Sequence, residues 1–114
     1  MSMDLENIKN KLERLPGMLS FELEKKRVLD QEKIRLENEI KIKEADNIFL
    51  YSSNKQYNTT EARAMSKIKM RDDYNSLTKV KSELLEVDTK IQIFNIELSA
   101  TQSLIKLLQI ERTL

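Results

Sequence analysis

The chain has 114 residues, 34% of them charged, with 5% aromatics, one Gly, one Pro and a formal net charge of +1. That is poor material for a compact globular core and good material for long helices in a single domain. It contains no Cys and no His, which removes disulfides, thiolate metal sites, the commonest metal ligand and the commonest general base.

Leu5, Ile8, Leu12 and Leu15 follow helical spacing after a candidate N-cap, Asp4, and Pro16-Gly17 reads as the end of a short amphipathic N-terminal helix over residues 1–15. A second helix is expected from a cap at Ser20 to about Tyr51. Its apolar residues spread over two sides, Phe21, Val28, Leu29, Leu36 and Ile40 on one and Leu23, Ile34, Ile42, Ala45 and Ile48 on another, so no single seam dominates it. Polar residues 52–58 make the loop of an antiparallel hairpin, with Asn58 and Glu61 as a reciprocal capping pair for a third helix over residues 59–112.

That third helix carries the clearest pattern in the chain. Met70, Leu77, Leu84, Ile91, Leu98 and Ile105 recur every seven residues, with Asp73, Val80, Val87, Phe94, Thr101 and Leu108 three positions further on. A seven-residue repeat keeps one stripe of a helix against a partner helix, so this is a coiled-coil seam. From Ile93 onward a second stripe, Ile93, Ile96, Ala100, Ser103, Leu107 and Ile110, lies roughly opposite. A helix apolar on two sides touches two neighbours. The second stripe either closes on the chain's own first helix or joins copies in a bundle or ring. On the homo-oligomer reading the contact residues are Leu84, Val87, Ile91, Ile93, Phe94, Ile96, Leu98, Leu104, Ile105, Leu107, Leu108 and Ile110. The expected fold class is therefore all-α, a long antiparallel hairpin with a coiled-coil C-terminal helix.

Charge is distributed unevenly. Residues 25–81 carry fourteen Lys/Arg against nine Asp/Glu, a balance of +5, while residues 1–24 and 82–114 each carry three against five, a balance of −2. Arg63, Lys67 and Arg71 recur every four residues with Lys69 nearby, and Lys41, Lys43 and Lys55 approach the loop from the other side. Tyr51 and Tyr57 sit among them. Cations that track a phosphate backbone, interleaved with rings on which bases stack, suit sequence-tolerant single-strand binding. The same residues also fit a solvated coiled-coil face with local ion pairs.

Carboxylate pairs such as Asp72-Asp73, Glu37/Glu39 and Glu44/Asp46 lack the concave, desolvated setting that acid–base chemistry needs. No enzyme activity, metal or cofactor is expected. Asp73, at a seam position, reads as an end marker or register-setting polar residue. No leader pattern and no apolar run near 18 residues occurs in the sequence, so neither a signal peptide nor a membrane span is expected, and the expected location is cytoplasmic.

The order of these features resembles the UvsY-type recombination mediators of T-even-like bacteriophages over about residues 30–110. The likeness rests on Phe49-Leu50-Tyr51-Ser52 before a polar turn, Glu61-Ala62-Arg63-Ala64 after it, Leu85-Glu86-Val87-Asp88-Thr89-Lys90-Ile91-Gln92, and the apolar C-terminal tail. It implies a small all-helical protein in the host cytoplasm that forms ring-shaped homo-oligomers through its C-terminal helix. It further implies single-stranded DNA binding and help in loading a RecA-like recombinase onto strands covered by single-strand-binding protein. The family's basic DNA-contact motif falls here on Glu44-Ala45-Asp46-Asn47-Ile48, which is acidic to neutral, so those contacts do not carry over. The candidate nucleic-acid residues become Lys41, Lys43, Lys55, Tyr57, Arg63, Lys67, Lys69 and Arg71. The alternative function is a coiled-coil scaffold, such as a virion or assembly component, that binds no nucleic acid.

Overall fold

The computed structural model describes residues 2–53 and 57–113, with side chains placed for residues 5–53, 57–109 and 111. The chain is an all-α antiparallel hairpin built from α1 (Ser2–Ser53), α2 (Thr59–Lys69) and α3 (Arg71–Thr113), and no strand occurs among the described residues. None of the helices is long and apolar enough, among those residues, to cross a membrane.

The expected break at Pro16-Gly17 does not occur, because α1 is one helix with Pro16 inside it. The reason is a heptad seam that polar residues conceal in the sequence. Leu5, Leu12, Leu19, Lys26, Lys33, Ile40 and Asn47 form one seven-residue series and Ile8, Leu15, Glu22, Leu29, Leu36 and Lys43 the other; all are buried or half-buried except Lys43. Both series run in phase through residues 16 and 17. Pro16 costs the helix the N–H that would reach the Leu12 carbonyl, but Pro16 and Gly17 are exposed, where water can serve the freed carbonyl. Burial on both sides of the proline outweighs that local cost.

Two further boundaries differ from expectation. α1 continues through Ser52 and Ser53, whose hydroxyl donates to the Phe49 carbonyl at 2.8 Å, and residues 54–56 of the expected loop lie outside the described residues. The expected single third helix is divided at Met70, which has φ −96° and ψ 14°. The division leaves the helical phase intact: the Met70 N–H donates to the Ser66 carbonyl and the Tyr74 N–H to the Met70 carbonyl, both at 3.0 Å. At the start of α2, Asn58 is extended and its side-chain oxygen accepts the Glu61 N–H at 2.8 Å, which satisfies one of the orphan donors of the first turn.

The chain divides into two compact units, residues 28–84 and residues 1–27 with 85–114. In the first, the turn-side unit, Leu36 and Ile40 of α1 pack with Met70, Leu77, Val80 and Leu84, and Leu29 and Tyr74 close over them. Fully burying a side chain of this type stabilises by about 1.5–3 kcal/mol. Two polar contacts fix the pairing of the helices: Lys43 Nζ reaches Asp73 at 3.1 Å, and the Tyr74 hydroxyl donates to Glu44 at 3.1 Å. The half-buried Asp73 at its seam position thus has a cation from the facing helix.

In the second, the terminal unit, Leu15 and Val87 are buried and Lys26 pairs with Asp88 at 2.8 Å. Leu5 and Lys9 meet Ile105, Leu108 and Gln109 around a small cleft. The polar seam residue Thr101 is buried and donates to the Glu97 carbonyl one turn back at 2.7 Å, so its hydroxyl is satisfied within its own helix. Glu22, at a seam position of α1, is buried as well, and its Oε2 has no hydrogen-bond partner among the described residues.

Candidate functional site

The residues next to each seam decide what each side of the hairpin presents. On a helix each residue turns the next by about 100°, and in an antiparallel pair the residues one step after the seam on both helices fall on the same side. The bond between Tyr74, one step after Asp73, and Glu44, one step after Lys43, spans that side.

In the turn-side unit this rule separates the charges. Arg63, Lys67 and Arg71 each follow a buried residue, Ala62, Ser66 and Met70, and all three are exposed. They form one row, about 6 Å apart along the axis, and the uninterrupted phase across Met70 keeps Arg71 in it. Lys41 follows buried Ile40 and lies on the same side. The opposite side has Asp46, Glu61 and Asp72, which precede Asn47, Ala62 and Asp73, with Lys69 among them. Glu37 and Glu44, one step after Leu36 and Lys43, share the side of the row, so that side is basic on balance and the other acidic on balance.

The expected eight nucleic-acid residues divide accordingly. Lys41, Arg63, Lys67 and Arg71 come together. Lys69 lies on the acidic side, and Lys43 is engaged with Asp73. Lys55 lies outside the described residues. Tyr57 is half-buried and meets Tyr51 edge to face, with ring centroids 5.6 Å apart and an interplanar angle of 82°. No acidic group pairs with Lys41, Arg63, Lys67 or Arg71 among the described residues, whereas three cations in the middle of α1 are locally matched: Arg27 with Glu24, Arg35 with Glu32 and Glu39, and Lys33 with Glu37. The Arg27 and Arg35 guanidiniums hold Glu24 and Glu32 below the usual carboxylate range, chiefly through their hydrogen bonds. Beside the basic row, burial pushes the Tyr74 hydroxyl above its ordinary value, and its bond to Glu44 adds to the shift.

The expected self-association residues also divide. Leu84, Val87, Ile91, Phe94, Leu98, Ile105 and Leu108 are buried or half-buried within a single chain, on the seam that faces α1. Ile93, Ile96, Leu104 and Leu107 remain open, with Ile96 68% and Leu107 59% exposed. Placement of the Ile110 side chain lies outside the description.

Sequence reasoning missed α1's share of this open surface. Arg14, Met18 and Phe21 precede the seam residues Leu15, Leu19 and Glu22, and on α3 Ile93, Ala100, Leu104 and Leu107 precede Phe94, Thr101, Ile105 and Leu108. One side of the terminal unit therefore gathers exposed apolar residues from both helices. The residues one step after the seam are mostly polar, among them Lys9, Glu13 and Ser20 on α1 and Asn95, Gln102 and Lys106 on α3, with Leu23 and Leu85 as large apolar exceptions. Reading α1 in the register of its polar-interrupted seam would have found this asymmetry.

No group of three or more acidic side chains close enough to hold a metal ion occurs among the described residues. Comparison with protein-family models, with characterised proteins and with solved structures finds no match to this chain.

Proposed function

We propose that the protein is a non-enzymatic, single-stranded-DNA-binding accessory factor that works as a ring-like homo-oligomer in the cytoplasm and assists a RecA-like recombinase in loading onto strands held by single-strand-binding protein. The observation that carries the DNA part is the row Arg63, Lys67 and Arg71, joined by Lys41 on one side of the turn-side unit and free of acidic partners among the described residues. Unneutralised cations in a row gain affinity by releasing counterions from a phosphate backbone. Repetition around an oligomer multiplies a weak site through effective concentration. The exposed Ile93, Ile96, Leu104 and Leu107 support self-association through α3, and the recombination role rests on the resemblance to UvsY-type mediators.

The test is oligonucleotide binding across a salt series. Lys67→Ala and Arg71→Ala should each flatten the dependence of log affinity on log salt by about 0.7–1. Lys69→Ala, on the acidic side, should leave the slope unchanged. Equal effects of all three would refute the one-sided site, and no retention at any moderate salt would refute DNA binding. A second reading, a helical scaffold without nucleic acid, is favoured by the apolar side of the terminal unit and survives that last outcome.

A further inference from the structure

The apolar side of the terminal unit has a groove lined by Glu13, Arg14, Gly17, Met18, Phe21, Glu22 and Phe94. Three observations there call for an occupant that carries a cation, an anion and an apolar surface. Glu22 is only 7% exposed, yet its Oε2 has no hydrogen-bond partner among the described residues, a state that costs free energy until a donor is supplied. Phe21 is 68% exposed and Met18 46%. Arg14, exposed on the same groove, has no acidic partner among the described residues.

We infer that the occupant is a second copy of this chain, packed across the groove about a two-fold axis at Met18. Arg14 lies four residues before Met18 and Glu22 four residues after it, so an antiparallel α1–α1 crossing centred there brings Arg14 of each copy to Glu22 of the other. An isologous contact requires this self-complementarity. Gly17 beside the axis has nothing within 4 Å of where a Cβ would sit, so the two helices can approach closely at the crossing. Met18, Phe21 and Phe94 supply the apolar burial around the paired charges, and a desolvated, hydrogen-bonded arginine–carboxylate pair is the kind that fixes register between partners. Lys11 and Lys25, seven residues either side of Met18, would face each other as like charges, so the helices cross at an angle and the contact is confined to the central turns. This places α1, rather than α3 alone, in the assembly. It rests on the self-association part of the proposed function and adds the pairing geometry.

Charge reversal tests it directly, by sedimentation mass over a concentration series with helix content followed by circular dichroism. Arg14→Glu and Glu22→Arg should each weaken self-association by about tenfold or more. An equimolar mixture of the two should regain it, since in the mixed pair one contact joins the two introduced charges and the other joins the two original ones, each of opposite sign. If Glu22→Arg loses helix content, Glu22→Gln replaces it and should relieve the defect of Arg14→Glu when both changes are in one chain. Single variants that associate like the parent, or combinations no better than the singles, would overturn the pairing. A parent chain that stays monomeric would overturn the proposed self-association with it. Assembly that ignores these charges but is lost in Ile96→Glu would overturn the α1 pairing alone.

Discussion

Replacing Pro16 by Ala separates two structures of the N-terminal region by the sign of its effect. In the observed fold Pro16 lies inside α1, with helix on both sides. Ala is favoured over Pro by about 3 kcal/mol in a helix interior, and because Pro16 is exposed and the Leu12 carbonyl can bind water instead, a gain of about 2–3 kcal/mol is expected. With an unfolding entropy of about 2.1 cal/mol/K per residue, a chain of 114 residues should melt about 8–12 °C higher. If the helix instead ended at Pro16-Gly17, the fixed φ of proline would be restricting the unfolded chain, and its loss would lower stability by about 0.4–1 kcal/mol. Gly17→Ala is a companion, because the space around its missing Cβ is open and a helical Gly costs roughly 0.5–1 kcal/mol relative to Ala. Both variants should be melted at one low protein concentration, where association does not add to the midpoint. An unchanged or lowered midpoint in Pro16→Ala would refute the continuous α1.

Asn58→Ala should destabilise by about 1 kcal/mol through loss of the cap on the Glu61 N–H, read as a shift in urea midpoint at constant slope; no shift would mean the cap contributes nothing. Burial holds the Tyr74 hydroxyl above its ordinary value of 10.0. A raised folded value contributes stability that is fully present below the unfolded value and is lost as pH rises through the folded one, so the protein should weaken above about pH 10, and Tyr74→Phe should reduce that alkaline loss. Identical alkaline profiles for the two chains would contradict it. Ile96→Glu, on the open side of α3, should lower the assembled mass while leaving most helix content, and an unchanged mass would refute self-association through that face.

The seam of α3 is legible in the sequence because its positions are nearly all apolar, and the residues assigned to it are the ones shielded in the fold, from Met70 to Leu108. The equivalent seam of α1 is hidden by Glu22, Lys26, Lys33, Lys43 and Asn47. A pattern argument counts these as breaks. In the fold Lys26 and Lys43 reach Asp88 and Asp73 across the hairpin, so long polar side chains occupy seam positions while placing their charges on a partner. Proline carries the same lesson: its local penalty is visible in sequence, while the burial that outweighs it depends on residues far away in the chain. The basic residues were legible as a group, but their division between two sides required the phase of the buried Ala62, Ser66 and Met70. Small and polar side chains on that inner line, Ala62 and Ser66 among them, give no hydrophobic signal of their own.

The spacing of the cross-links along the chain bears on the order in which the hairpin closes. Lys43–Asp73 and Tyr74–Glu44 join residues 30 apart, whereas Lys26–Asp88 joins residues 62 apart, 88 minus 26. Direct closure of the larger loop costs about 0.6 kcal/mol more, but once the turn-side contacts exist each later pairing fixes only a few additional residues. Closure is therefore favoured from the turn toward the termini, and the outermost pairs around Leu5 and Leu108 should open first. A partner seated on the terminal unit would act as a clasp on the last part of the zipper, coupling closure of the pairs around Leu5 and Leu108 to the presence of a second molecule.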